Sequence, residues 1–420
     1  MNAPDAVEQA YREHWSRLLA LLVTRMRRFD IAEDSLQDAF LAAARTWPER
    51  GVPFHPAAWL LTAAHRRALD RIRREENERR RLPLLVTDPR AEDVVVEDPD
   101  PDAGPGSIVD ERLRLLFACC HPALSADARA ALMLRFGAGL RTAEIARLFL
   151  VPEPTMAARL TRAKAKMALA GIPLRRPTAE DVPARLRVLL KVVYLLFTEG
   201  YRATAGPELR RPRLAGEAIR LGYLLCELLP DQDEALALLA LMILQHARRD
   251  ARFDGEGRLV LMADQDRTTW RHDEIDRGLD LLRRLGPASG DYHLQALVAA
   301  EHSKPEATDW PRVAQLYAEL ERRTASPVVR LNRAVAVAEA GSPEAALTLL
   351  DGLDEALPTN HLLPTVRGEL LSRLDRTEEA AAAFDAALRL VRTDAERAHL
   401  RRRRADLRRG ADEEAGGERP

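Results

Sequence analysis

Residues 124–167 read LSADARAALMLRFGAGLRTAEIARLFLVPEPTMAARLTRAKAKM, and their pattern decides how this part of the chain folds. Leu124-Ser125-Ala126-Asp127 predicts a helix start, with Ala130, Met133 and Leu134 on the apolar side and Gly137 and Gly139 breaking the helix. A second helix is expected over 142–149, capped by Thr142, with Ile145 and Leu148 turned inward. The turn LVPEP at 150–154 leads into a third helix over 155–168, in which Met156, Leu160 and Ala163 recur at helical spacing. Thr155 stands at its start, and Arg159, Arg162 and Lys166 are left outside. A helix that begins polar and turns basic is suited to the major groove of DNA. Arg159 and Arg162 can read base edges or clamp phosphates, and the pattern leaves both roles open. A helix-turn-helix also serves as a protein-binding unit.

Upstream, residues 30–48 read DIAEDSLQDAFLAAARTWP. Asp30 is an N-cap candidate followed by an acidic first turn, as the helix dipole favours. Leu36, Phe40 and Ala43/Ala44 share one stripe, while Asp34, Gln37, Asp38 and Leu41 lie beside it on a more exposed, partly acidic surface. Trp47-Pro48 is expected to end the helix. Residues 53–75 read PFHPAAWLLTAAHRRALDRIRRE, with Pro56 as a first helical residue and His55 at the cap. Leu61, Ala64, Ala68 and Ile72 trace an apolar stripe. Trp59, Arg66, Asp70 and Arg73 fall on another face, with Arg67, Arg71 and Arg74 near it. An Arg-dense face beside loop aromatics suits a protein that holds opening DNA: the cations meet phosphate, and an aromatic ring stacks on an unpaired base. A merely solvated face has the same composition.

Composition frames these motifs. The 420 residues allow two or three domains, and a 5% aromatic content in an Ala-, Leu- and Arg-rich alphabet favours an all-α protein. The net charge of −1 averages basic helices early in the chain against acidic stretches later; Lys stands only at 164, 166, 191 and 304. The start shows no basic segment leading into an apolar one, and no apolar run nears the roughly 18 residues of a membrane span. A cytoplasmic protein without a membrane segment is expected. Cys119, Cys120 and Cys226 have no metal-ligand spacing, and Cys119-Cys120-His121 reads as helix packing. No phosphate loop, metal cluster or nucleophile–base pair stands out, so neither an enzyme nor a cofactor is expected.

The chain is expected to divide into a helical unit at 1–82, an acidic flexible linker at 83–107 and the helix-turn-helix unit at 108–172. A helical extension at 180–409 and a disordered tail at 410–420 would follow. Within the extension, Ala334, Val337, Ala346, Leu350 and Leu353 recur 34 residues later as Gly368, Leu371, Ala380, Phe384 and Ala387. That is the tetratricopeptide period, and such hairpins stack into a solenoid. Residues 294–301 with 313–320 look like a less regular hairpin. Any Ala/Leu-rich bundle can imitate the pattern, and two copies are fewer than a stable array needs.

Taken in order, these stretches resemble the extracytoplasmic-function (ECF, group IV) sigma factors of RNA polymerase. The 30–48 stretch resembles sigma region 2.2, 53–75 regions 2.3 and 2.4, and 124–167 region 4.2. The resemblance implies that Asp34, Gln37 and Asp38 contact the polymerase β′ clamp, with the β flap as a further contact for the factor. It implies a −10 surface built from Val52, Phe54, His55, Trp59, Arg66, Arg67 and Arg73, and a −35 surface built from Thr155, Arg159, Arg162 and Lys166. Arg66 stands where the family often has Asn, Leu150 where Gly is common, and Ala157-Ala158 where polar residues are common. The linker acids Glu92, Asp93, Glu97, Asp98, Asp100 and Asp102 would mimic nucleic-acid charge along the RNA exit path. The full arrangement resembles the subgroup with a tetratricopeptide-like C-terminal extension (the ECF42-type group).

Two further segments stand out, 197–201 (FTEGY) and 261–270 (LMADQDRTTW). The second gathers Asp264, Asp266, Arg267 and Trp270 as a ligand or partner site, or as an Asp–Arg network locking the extension to the sigma core. The leading reading is a sigma factor whose extension controls it in cis or receives a regulatory protein. The alternative is a tetratricopeptide scaffold tethered to DNA without initiating transcription.

Overall fold

The computed structural model describes residues 3–26, 28–81, 105–149, 151–169, 181–201, 212–252, 254, 260, 262–288, 290–304, 307–391 and 394–417. Helices and turns make up this set, and no strand occurs among the described residues. The chain divides into two compact units, Met1–Leu195 and Leu196–Pro420.

The first unit begins with α1 (Ala3–Met26), α2 (Phe29–Arg50) and α3 (Pro56–Arg81). Trp15, Leu18, Leu19 and Leu22 of α1, Leu36, Ala39 and Ala43 of α2, and Leu60, Ala64 and Ala68 of α3 form its buried side. Residue 44, placed on the apolar stripe of α2 by sequence, is exposed. Arg28, not Asp30, precedes the first helical residue; Asp30 sits inside the first turn and binds Arg28 at 2.8 Å. Pro48 does not end α2. Pro removes one ladder donor, which the last turn tolerates, and the helix closes where Gly51 takes φ +80 and donates to the Trp47 carbonyl.

Next come α4 (Pro105–Cys119), α5 (Ala126–Leu132), a π turn over Met133–Gly137, α6 (Thr142–Leu148) and α7 (Glu153–Leu169). Ser125 caps α5 through the Ala128 N–H. The cap of α6 is Arg141 rather than Thr142: the Glu144 carboxylate reaches back to accept the Arg141 N–H at 2.8 Å. The π turn adds a residue to the helix, and all five of its residues, Arg135 included, are buried. Met156, Leu160, Ala163 and Met167 anchor α7. Burial pushes the Cys120 thiol up to about 12 and the Cys119 thiol well above the usual range, as packed side chains require. Helix α4 begins at 105, inside the stretch assigned to the linker; residues 82–104, with all six linker acids, lie outside the described residues.

The division between units falls within α8 (Asp181–Tyr201). The second unit continues through α9 (Pro212–Leu228), α10 (Asp233–His246), α11 (His272–Arg283), α12 (Asp291–His302) and α13 (Trp310–Thr324). Helix α10 is its apolar centre, with nine buried residues between Ala235 and Leu244. Glu234 holds the N-terminus of α12, accepting the Tyr292 and His293 N–H groups at 3.0 Å each. The 197–201 segment is a packing device: a Cβ on Gly200 would lie 2.3 Å from the Ala215 nitrogen of α9.

The repeat occupies α14 (Pro327–Glu339), α15 (Pro343–Thr348), α16 (Leu353–Ala356), α17 (Leu362–Arg373), α18 (Thr377–Leu390) and α19 (Asp394–Gly417). Ala334 is buried with Leu350, and Gly368 comes so close to Phe384 that a Cβ would meet the ring at 3.0 Å. Glu339 pairs with Arg373 and Glu369 with Arg403, each 34 residues on. The second of these pairs makes α19 the successor of α17. With the α12–α13 hairpin, whose Leu294, Val298, Val313, Leu316 and Leu320 pack together, the stack exceeds the two copies legible in the repeat. Helix α19 runs through Gly417, so most of the tail expected to be disordered is helical, as its Ala- and Glu-containing sequence permits.

Candidate nucleic-acid interface

Phe54 sits in the loop between α2 and α3 with 93% of its surface exposed, its ring edge-on to His55 at 4.7 Å. Val52 and His55 are also exposed. A bare Phe on a loop fixed between two packed helices gains nothing from the core, and its free π face is available to a base. Trp59 is half-buried and packs edge-on against buried Trp47 at 5.7 Å, which fixes the loop to the bundle. Along α3, Arg66 and Arg73 are exposed, whereas Arg67 folds back on the Ala63 carbonyl at 3.0 Å.

Asp34 and Asp38 are not free carboxylates. Arg71 of α3 donates to Asp34 at 2.8 Å and to Asp38 at 2.7 Å, clamping α3 to α2 and neutralising part of the acidic face. Burial lowers and the two carboxylates raise the Arg71 guanidinium, with the net shift upward. Gln37 is half-buried beside them, and Leu41 stays exposed on the same face. The sequence puts Arg71 only near the basic face; its one signal is helical phase relative to two aspartates on another helix.

On α7, Thr155, Arg162 and Lys166 are exposed. Arg159 is partly engaged, 3.2 Å from Asp127 and 5.6 Å from the Phe149 ring centroid, so its guanidinium is steered across the start of the helix. The opposite side of α7 carries Lys164, which donates at 2.8 Å to Glu33 of α2, while Arg135 donates to the same carboxylate at 2.6 Å. Burial raises Glu33, and the Arg135 and Lys164 charges outweigh it, leaving the carboxyl below its usual value. The Arg135 guanidinium also lies 4.9 Å from the Trp15 ring centroid, and Phe29 stacks on Phe136 at 5.8 Å. The two motif-bearing halves of the first unit are therefore packed together, an arrangement local sequence patterns did not reveal.

In the second unit the 261–270 segment does not form the expected Asp–Arg network. Asp266 accepts the Thr268 N–H at 2.9 Å and the Thr268 hydroxyl at 2.7 Å, capping its own turn. Arg267 instead donates to the Lys304 carbonyl and lies 5.1 Å from the centroid of buried Trp270, while Asp264 is exposed. A short polar side chain two residues before a free N–H takes the local bond, leaving Arg267 to seek a carbonyl.

Family models match three stretches: Sigma-70 region 2 over residues 10–78, Sigma-70, region 4 over 114–167, and a family of unknown function (DUF6596) over 185–285. "Uncharacterized protein R00370" of Rhizobium meliloti (strain 1021) is 42% identical over 393 residues, 91% of each chain. "ECF RNA polymerase sigma factor SigK" of Mycobacterium sp. (strain KMS) is 31% identical over 148 residues, 34% of this chain and 70% of its own. The same-named protein of Mycobacterium ulcerans (strain Agy99) is 31% identical over 144 residues, 34% and 72%. No solved structure matches the chain. Among the described residues no helix is long and apolar enough to cross a membrane. With both sigma regions matched in order on helices that present a bare loop aromatic and a basic side of α7, the chain belongs to the ECF family of RNA polymerase sigma factors.

Proposed function

We propose that this sigma factor acts in the cytoplasm, binding core RNA polymerase and directing initiation at promoters with −10 and −35 elements. Asp34, Gln37 and Asp38 contact the β′ clamp, with Leu41 supplying apolar area and Arg71 fixing the two carboxylates; region 4 meets the β flap. Phe54, with Val52 and His55, receives an unpaired −10 base, and Arg66 and Arg73 hold phosphates along the same strand. Trp59 and Arg67 position the loop and helix rather than touch the base. Thr155, Arg162 and Lys166 face the −35 element, with Arg159 oriented by Asp127. The exposed Phe54 ring carries this reading, because duplex tethering alone has no use for an aromatic side chain outside a core.

The helical-hairpin extension regulates the factor in cis and offers a surface to a regulatory protein. Asp264, Asp266, Arg267 and Trp270 are a structural element of that extension. Run-off transcription with purified core polymerase and the full chain tests the assignment. Specific initiation that requires both promoter elements is expected, and its absence, with the extension present or removed after residue 175, overturns the reading.

A further inference from the structure

Glu33 is 5% exposed although it belongs to the acidic, outward-turning run of α2. Its burial comes from the helices of residues 105–169, through Arg135 in the π turn and Lys164 on α7. Around that carboxylate the packing is aromatic, with Phe29 on Phe136, and Gly139 so near Trp15 that a Cβ would lie 3.2 Å from the indole. A cavity of about 150 Å³ runs beside it, with Asp34 and Gln37 of α2 on one side and Ala157, Thr161 and Lys164 of α7 on the other.

Helical phase separates the surfaces involved. At 3.6 residues per turn, Ala157, Thr161 and Lys164 share one stripe of α7, and Thr155, Arg159, Arg162 and Lys166 share the opposite one. On α2, Gln37, Leu41, Asp34 and Asp38 follow Glu33 in turn around the axis. The outward face of α2 therefore begins where the α7 contact ends, and Gln37 and Asp34 belong to both. A helical partner packs with its axis ~8–10 Å away and covers a stripe about 100° wide. One seated on Asp34, Gln37, Asp38 and Leu41 needs space that α7 fills.

We propose that the docking of α4–α7 onto α2, fastened by Lys164 and Arg135 on Glu33, is an autoinhibitory contact that competes with core polymerase for the Asp34–Gln37–Asp38–Leu41 face. It rests on the polymerase-binding reading above. Polymerase binds only when α7 has lifted from α2, and the basic face of α7 is then free to move away toward its own DNA element. Lys164 is the releasable half of the fastening. Arg135 also donates to the Leu140 carbonyl at 2.9 Å and stacks on Trp15, whereas the Lys164 side chain is 23% exposed and bonds Glu33.

The test uses the full chain with Cys226→Ser, carrying a donor and acceptor dye pair on Arg50→Cys and Ala168→Cys, two exposed positions on α2 and α7. Lys164→Glu sets a second carboxylate against Glu33. It is expected to lower transfer efficiency in the free protein and to tighten core-polymerase binding roughly tenfold, because the competent fraction rises. Lys164→Ala moves both readouts the same way by less, and Lys164→Arg leaves both at wild type. Unchanged transfer in Lys164→Glu and Lys164→Ala, or lowered transfer with polymerase affinity unchanged, overturns the proposal. If no chain binds core polymerase, the proposed function falls and the competition with it; if all bind equally, only the autoinhibition falls.

Discussion

Glu33 and Lys164, 131 residues apart in the chain, meet at 2.8 Å, and Arg135 closes on the same carboxylate from 102 residues away. Removing one member of a buried ion group leaves the others desolvated without a partner. Glu33→Ala is expected to cost the first unit about 3–5 kcal/mol. Asp34→Ala, which breaks an exposed bond to Arg71, costs less than about 1 kcal/mol. Denaturant midpoints of the two variants check this ordering.

Phe54 contributes little to folding from its exposed position, so Phe54→Ala leaves the melting temperature within a degree or so, corresponding to less than ~0.5 kcal/mol. If the ring stacks on an unpaired base, the same substitution weakens strand opening by about 1–3 kcal/mol. Permanganate footprinting of promoter opening, set beside a thermal melt, separates the two effects.

Arg162 and Lys166 are exposed on α7, which leaves their guanidinium and ammonium groups to solvent. Each substitution to Ala is expected to weaken −35 duplex binding and to reduce the salt slope of log K by ~1 if the side chain holds a phosphate. An Arg162 that reads a base instead alters sequence preference and leaves the slope largely intact. Binding titrations across a salt series, on two duplex sequences, make the distinction.

In the extension, Gly368 against Phe384 is the counterpart of Ala334 with Leu350 one repeat earlier. Gly368→Ala drives a methyl to 3.0 Å from the ring and is expected to cost roughly 1–3 kcal/mol. Adding Phe384→Leu recreates the earlier repeat's pair, so the double variant loses less than the two single losses summed. A double-mutant cycle by chemical denaturation measures the coupling.

Burial raises Glu274, but bonds from His246 and Arg249, at 2.9 and 2.8 Å, hold it at about 2. Its folded value is depressed, so its stabilisation of the second unit is fully present above its ordinary 4.5 and is lost as pH falls toward 2. Glu274→Gln removes that acid dependence without changing side-chain size. Urea midpoints of wild type and variant, taken from pH 6 to pH 2, are expected to converge at the acid end.

Much of this was legible in local pattern. Pro56 opening α3, Ser125 before α5, Met156, Leu160 and Ala163 inside α7, and the 34-residue spacing of Ala346 and Ala380 are each fixed by neighbours within a few turns. Cap assignments at Asp30 and Thr142 slipped because the first turn holds several residues able to serve, and tertiary contacts choose among them. Glu33 was hidden for a different reason. In sequence it is one acid in an acidic turn, and only partners more than a hundred residues away turn it inward. Arg71 was legible as a basic residue and not as a clamp, since its two aspartates lie on another helix. Arg267 failed as an Asp partner because Asp266 had a nearer donor in Thr268.

Under the proposed function, the exposed face of α3 with its loop, and the basic face of α7, direct RNA polymerase to promoters. Sequencing transcript 5′ ends after induced expression of the full chain tests it most directly. New start sites sharing paired −10 and −35 elements, and lost with Phe54→Ala at unchanged protein level, are the expected result. An unchanged set of start sites, in cells where the protein accumulates and binds core polymerase, would contradict it.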